Sequence, residues 1–264
     1  MNIPASALSC RDLTIRINSR LLVEDLDLTL EPGDFVCMLG PNGVGKTLTL
    51  HTLAGLRDPE NGEVVLAGHA LHSLSRPDIA RRLGLLLQHH EDAFPVTVLE
   101  TALMGRHSHI GFWQWESPSD LQCARAALAD MDLAHLEQRP AGSLSGGERR
   151  RLSMATLLVQ NPAVLLLDEP MNHLDPLHRF SLLEKLKDLA GRGRTVLASI
   201  HDPVLASRYA DSVLLLYGDG RWKYGPTHKL LTAEHLGELY GTPFARYSSD
   251  DDNVLLPVAS RRSA

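Results

Sequence analysis

The sequence has no stretch of the 18 or so consecutive apolar residues that a membrane-crossing helix requires. Its greasiest region, residues 157–167, is interrupted by Gln160, Asn161 and Pro162, so the chain is not expected to span a bilayer. A secretory leader is not expected either, because the opening MNIPASALSCRD has neither the basic start nor the apolar core of one. Cysteine is scarce: Cys10, Cys37 and Cys123 are odd in number and far apart. That argues against a disulfide framework or a cysteine zinc site and fits reduced thiols in a cytosolic protein. Positive charge is not in excess, since 26 Lys plus Arg against 32 Asp plus Glu leaves −6, so a chain-wide nucleic-acid footprint is absent. Internal repeats and heptads are also lacking. The 13 histidines have no tight ligand spacing and read mostly as surface residues.

What remains is an ordinary globular composition, 44% hydrophobic and 22% charged over 264 residues, enough for one large domain or two small ones. Residues 8–35 contain two β-like runs, 13–17 and 26–30, punctuated by Asn18-Ser19 and Pro32-Gly33, which predicts hairpin strands in a small N-terminal β layer. Phe35-Val36-Cys37-Met38-Leu39 reads as a buried strand running into a glycine-rich loop, and 46–56 as the helix that leaves it. Residues 95–136 are helical in pattern, broken by an aromatic, polar loop at 111–118, and look like an inserted helical lobe. From Val164 onward, strands at 164–167, 195–200 and 212–217 alternate with helices at 176–190 and 203–210. Such alternation predicts an α/β fold with a mostly parallel sheet and covering helices. Beyond Phe244, an acidic, turn-rich stretch and a basic end predict a loose tail with one short added strand.

The chemistry concentrates in three motifs. Gly40-Pro41-Asn42-Gly43-Val44-Gly45-Lys46-Thr47 fits the phosphate-binding pattern G-x-x-x-x-G-K-[ST] between a predicted strand and helix. Its glycines let backbone N–H groups close around phosphate oxygens, Lys46 supplies charge for the β and γ phosphates, and Thr47 offers a hydroxyl to Mg²⁺. A chance match occurs in roughly one chain of this size in a hundred. Val164-Leu165-Leu166-Leu167-Asp168-Glu169 suits a strand buried on both faces with carboxylates at its C-terminal end, where such sheets bind ligands. Asp168 is placed for the Mg²⁺ shell, and Glu169 for accepting a proton from, or orienting, the water that attacks the γ phosphate. Leu144-Ser145-Gly146-Gly147-Glu148 is a capping box ahead of a helix, and its two bare glycines also leave backbone N–H groups open to an anion.

Phosphate loop, Gln88, Leu-Ser-Gly-Gly-Glu directly ahead of Val-Leu-Leu-Leu-Asp-Glu, then Asn172-His173-Leu174-Asp175 and His201 in Ser199-Ile200-His201-Asp202 follow in one order. In that order and spacing the chain resembles the ATP-binding cassette ATPases over roughly residues 8–245. The resemblance implies a P-loop NTPase (RecA-like) core, an ATPase unit over 1–245 with a helical subdomain inserted at about 92–160, and a tail at 246–264. It implies a homodimer, head to tail, holding ATP between Gly40–Thr47 of one copy and Ser145, Gly146 and Gly147 of the other. By the same resemblance Gln88 contacts Mg²⁺ and links the site to the helical lobe, Asp175 supports the dimer interface, and His201 touches the γ phosphate.

Three positions depart from the family pattern. Ile17 stands where an aromatic residue usually stacks on adenine and has no π face, with Arg16 beside it as an alternative cover for the base. Leu48 replaces a hydroxyl residue that meets the α phosphate and keeps only its N–H for that contact, and Met171 replaces a small hydroxyl residue. The first two imply weaker nucleotide affinity with hydrolysis retained, because Glu169 and His201 are in place.

Residues 74–82, 98–107 and Leu239-Tyr240-Gly241-Thr242-Pro243 are similar to importers of iron-siderophore, haem or cobalamin type. That implies a separate integral-membrane permease, a substrate-binding protein acting with it, and a cytoplasmic cassette peripheral on the inner face of the cell membrane. Phe112, Trp113 and Trp115 fall where the helical lobe of the family faces its membrane partner, and either dock there or pack the lobe's own core. Arg149-Arg150-Arg151 fits a solvated or interface face, and no nucleic-acid partner is expected. The competing readings are an exporter cassette, a soluble cassette ATPase working on ribosomes or DNA, and a phosphate-loop kinase. One cassette without heptads stands against the second, and Leu-Ser-Gly-Gly-Glu with His201 against the third.

Overall fold

The computed structural model describes residues 7–87, 96–111, 114–248 and 253–258. The chain opens with β1 (Leu8–Ile17) and β2 (Arg20–Leu30), an antiparallel hairpin whose turn residue Asn18 has φ 52°, the left-handed conformation that tight hairpins require. Along β2, buried Leu26, Leu28 and Leu30 alternate with exposed Asp25, Asp27 and Thr29, so one face packs inward and the other meets water. β3 (Phe35–Leu39) then leads through the glycine loop to α1 (Lys46–Leu53). β4 (Asn61–Leu66) and β5 (His69–Ala70) return to the first sheet, whose order is β2-β1-β4-β5. α2 (Arg76–Arg82) feeds β6 (Leu83–Leu86).

Between β6 and the next strand of that sheet lie α3 (Val98–Leu103), α4 (Pro118–Asp130) and α5 (Gly146–Gln160). Each starts with a reciprocal capping box, Thr97 with Glu100, Ser117 with Asp120 and Ser145 with Glu148, which satisfies N–H groups the helix itself cannot pair. The helices bury Leu99, Ala102, Ala124, Leu128, Leu152 and Ala155 against one another and against the sheet. The aromatic loop ahead of α4 leaves Trp115 89% exposed, which excludes it from the lobe's core. Phe112 and Trp113 lie outside the described residues.

The remaining chain alternates as expected: β7 (Val164–Leu167), α6 (Pro176–Gly191), β8 (Thr195–Ser199), α7 (Pro203–Tyr209) and β9 (Ser212–Leu216). β10 (Trp222–Pro226) follows, then α8 (Thr227–Leu230) and α9 (Ala233–Tyr240). The second sheet has the order β10-β9-β3-β8-β7-β6, parallel throughout except for the edge strand β10. Both its faces are covered, which is why β3 and β7 are unbroken apolar runs. Alternate residues of β3 enter separate cores. Val36 and Met38 pack with the N-terminal layer and α1, whereas Phe35, Cys37 and Leu39 pack with the helices of the other face.

The end of the chain differs from the loose tail with one strand. β11 (Phe244–Ser248) pairs antiparallel with β12 (Asn253–Pro257), and Phe244 and Leu255 pack on the main core. Apolar residues on one face of the hairpin supply the adhesion that the acidic composition of the intervening residues concealed. Among the described residues no helix is long and apolar enough to cross a membrane.

Candidate active site

The glycine loop sits at the C-terminal end of β3, where a parallel sheet presents its ligand edge. Gly40 is required sterically, because a Cβ there would lie 2.4 Å from the carbonyl oxygen of Leu216. Gly43 and Gly45 have φ of 77° and 107°, conformations glycine adopts without strain. The eight-residue α1 begins at Lys46 with Gly45 at its N-cap and no side chain bonded to its first N–H groups, leaving them and the helix dipole to serve an anion. The Lys46 ammonium folds back over the loop and donates to the carbonyl oxygens of Gly40 and Pro41 at 2.7 and 3.0 Å. Burial draws its pKa below the usual lysine value against the attraction of Glu169 and Asp168.

Asp168 follows β7 and is completely buried. Its two carboxylate oxygens are both bonded: Oδ2 accepts from Thr47 Oγ1 at 2.6 Å and Oδ1 from Ser199 Oγ at 2.7 Å. Glu169 turns out of the strand with φ 48°, a left-handed conformation that costs a non-glycine residue about 1–2 kcal/mol. Its Oε1 lies 2.7 Å from His201 Nε2, and its Oε2 accepts from Asn172 Nδ2. Burial alone would push the Glu169 carboxyl up, but the bonds from His201 and Asn172 outweigh it and hold the group below the usual carboxylate range.

A cleft of about 380 Å³ joins these parts. Ile17, Arg20 and Leu22 from the hairpin, Asn42, Gly43, Gly45 and Lys46 from the loop, and Thr47, Leu48 and Glu169 line it. Arg16 is not among the lining residues and pairs with Glu60 at 2.7 Å. The guanidinium that reaches the cleft is that of Arg20, also bonded to the Gly218 carbonyl oxygen at 3.2 Å. Ser145, Gly146 and Gly147 do not line this cleft. They start α5 beside His173, and a Cβ on Gly147 would lie 3.0 Å from the His173 carbonyl oxygen. Asp175 is also outside the lining, where it caps α6 and bonds the His178 backbone N–H and ring at 2.9 and 2.8 Å. Gln88 lies outside the described residues.

Two side chains at the site escaped the sequence reading. Ser199, at the end of β8, is fully buried and bonds the Glu169 backbone N–H and the Asp168 carboxylate. Arg150 contradicts the solvated or interface face assigned to the arginine triplet: it is 7% exposed, and its guanidinium donates to the carbonyl oxygens of Leu87, Asp168, Glu169 and Pro170 within its own chain. Burial pushes its pKa down to about 10. The only signal in the sequence was its place on the inward stripe of α5, with Met154 and Leu157. Arg151, by contrast, pairs with Asp132 at the surface.

An anion-binding loop, a cation over it, a buried hydroxyl-carboxylate pair and an acceptor carboxylate in one cleft suit the binding and hydrolysis of a nucleoside triphosphate. The sequence profile of the ABC transporter family matches residues 23–172. The chain belongs to that family. As an ABC cassette it is an ATPase, and it is similar over most of its length to transport subunits. It shares 33% identity with the hemin import ATP-binding protein of Bradyrhizobium diazoefficiens, over 98% of each chain. With the ferric enterobactin transport ATP-binding protein of Escherichia coli it shares 34%, over 87% of this chain and 85% of that one. The cassette also superposes on a metal-chelate type ABC transporter in an inward-facing conformation, with TM-score 0.83, 30% identity and coverage of 96% and 98%.

Proposed function

We propose that this ATPase powers import of a metal chelate, of iron-siderophore, haem or cobalamin type, through a separate membrane permease by head-to-tail closure of two copies. The observation that carries the reading is one cleft lined by Ile17, Lys46, Thr47 and Glu169, in which Thr47 bonds Asp168 and Glu169 bonds His201. The names of the hemin and enterobactin relatives and of the metal-chelate neighbour support the cargo class.

In this reading the N–H groups of Gly43 to Leu48 and the Lys46 ammonium hold the phosphates, and Ile17 packs on the base. Thr47 Oγ1 and Asp168 Oδ2, 2.6 Å apart, form the oxygen donor set a small hard cation prefers, so Thr47 and Asp168, with Gln88, would hold Mg²⁺. That ion neutralises phosphate charge when bound. Glu169, ionised at neutral pH, orients the attacking water and receives its proton, while His201 steadies the carboxylate and reaches the γ phosphate. Ser145, Gly146 and Gly147 lie outside their own chain's cleft, so they serve the nucleotide of a second copy, with Asp175 at that interface.

The permease docks beside the helical lobe, where a groove of about 390 Å³ runs between Leu85, Leu87, Met104, His107 and Thr156, with exposed Trp115 on the same lobe. The cassette then sits peripherally on the inner face of the membrane, and a substrate-binding protein delivers cargo from the other side. Affinity purification of the tagged chain from gently solubilised cells tests the reading. A stoichiometric polytopic membrane protein, giving a complex whose ATPase rate rises with a metal chelate, is the expected result. Recovery with ribosomal or DNA-bound proteins instead overturns the import role.

A further inference from the structure

Glu169 combines the exacting task of aiming a carboxylate at a water molecule with a backbone conformation that side chains other than glycine rarely adopt, φ 48°. Groups from two other elements hold it there. On one side of its Cα, the Glu169 N–H donates to Ser199 Oγ at 2.8 Å, and that hydroxyl donates its own proton to Asp168 Oδ1 at 2.7 Å. On the other side, the Glu169 carbonyl oxygen accepts from Arg150 Nη2 at 2.8 Å. The same guanidinium extends to the carbonyl oxygens of Asp168, Pro170 and Leu87, so the whole turn from 168 to 170 hangs from α5. Both anchoring side chains are buried, and burying a hydroxyl or a guanidinium is unfavourable unless its bonds are made. Here all of those bonds except the one to Leu87 converge on one turn.

We infer that Ser199 and Arg150 are positioning residues that pin the peptide groups on either side of Glu169, keep it left-handed and thereby aim its carboxylate into the cleft. The inference rests on the role proposed above for Glu169. It names residues that act through it: neither lines the nucleotide cleft.

The test is a double-mutant cycle on the purified full chain, with single-turnover ATP hydrolysis and titration of a fluorescent ATP analogue. Ser199→Ala is expected to lower the hydrolysis rate at least tenfold while nucleotide affinity stays within about twofold. Ser199→Cys, close in volume but a poor hydrogen-bond partner, is expected to show the same loss with an unchanged melting midpoint. Arg150→Gln is expected to act in the same direction. In a Glu169→Gln background each of these changes should have no further effect, because the group they aim is already gone. A wild-type rate for Ser199→Ala or Ser199→Cys overturns the inference. So does an equal fold-loss in both backgrounds, or a loss of affinity in step with the rate, either of which marks a merely structural role. Normal turnover of Glu169→Gln alone is a different result and overturns the reading of Glu169 on which the inference stands.

Discussion

Two helices of this cassette start with glycine-rich segments, and they are built for opposite uses. α1 has Gly45 at its N-cap with no capping side chain, lies under a buried lysine and opens into its own chain's cleft. α5 has Ser145 and Glu148 bonded reciprocally, with Ser145 and Gly146 exposed and Gly147 half-buried. The first helix leaves its N–H groups for an anion and covers the resulting charge site with its own chain. The second satisfies its end with side chains and turns its glycines outward. The lesson is that a helix N-terminus becomes a complete phosphate site only with a cation and a cover, and among the described residues the start of α5 is not covered by its own chain's cleft.

Breaking the link between the two ends has the largest expected effect. Glu169→Gln should slow hydrolysis on the order of 10² to 10⁴-fold, the range for a positioned general base, and trap an ATP-bound dimer in which the α1 end of one copy faces the α5 end of the other. Light scattering with ATP reads the dimer, and a species that stays monomeric refutes head-to-tail pairing. Next comes the α1 end alone. Lys46→Ala removes charge-assisted bonds and should weaken nucleotide binding roughly 100-fold, with an unchanged titration curve removing the phosphate-site assignment.

The α5 end should behave differently. Ser145→Ala loses a cap, with a stability loss of about 1 kcal/mol in denaturant titrations. It should leave nucleotide affinity of the monomer intact while weakening the ATP-bound dimer. An affinity loss in the monomer would erase the contrast between the two helices. The smallest effect belongs to the base end of the cleft, where Ile17→Tyr should tighten ATP binding by up to about 1 kcal/mol. No change there would point to Arg20, which shares that wall.

Much of this was legible in residue order because it is local. A glycine loop between strand and helix, a serine three residues before a glutamate, and an apolar run ending in two acids carry their geometry within a few residues. The same locality explains the misreadings. Arg149, Arg150 and Arg151 look alike as a triplet, yet helical rotation sends Arg150 inward to the 168–170 turn and Arg151 outward to Asp132. The one short strand expected in the tail has a partner that was not expected, because β11 and β12 are brought together by pairing across an intervening segment.

By itself the sequence determined the phosphate loop, the acids at the end of β7, the capped start of α5 and the parallel α/β alternation, because each depends on backbone propensity and side-chain period over a short span. Only the tertiary structure decided what meets the acids. The parallel register that sets Leu167 beside Ala198 brings Ser199 to Asp168, the packing of α5 on the sheet carries Arg150 to the Glu169 carbonyl, and the hairpin of β1 and β2 puts Arg20 in the cleft while Arg16 turns to Glu60. Register and packing are settled by burying apolar faces across the whole chain, so the polar contacts they create leave no local mark in the order of residues.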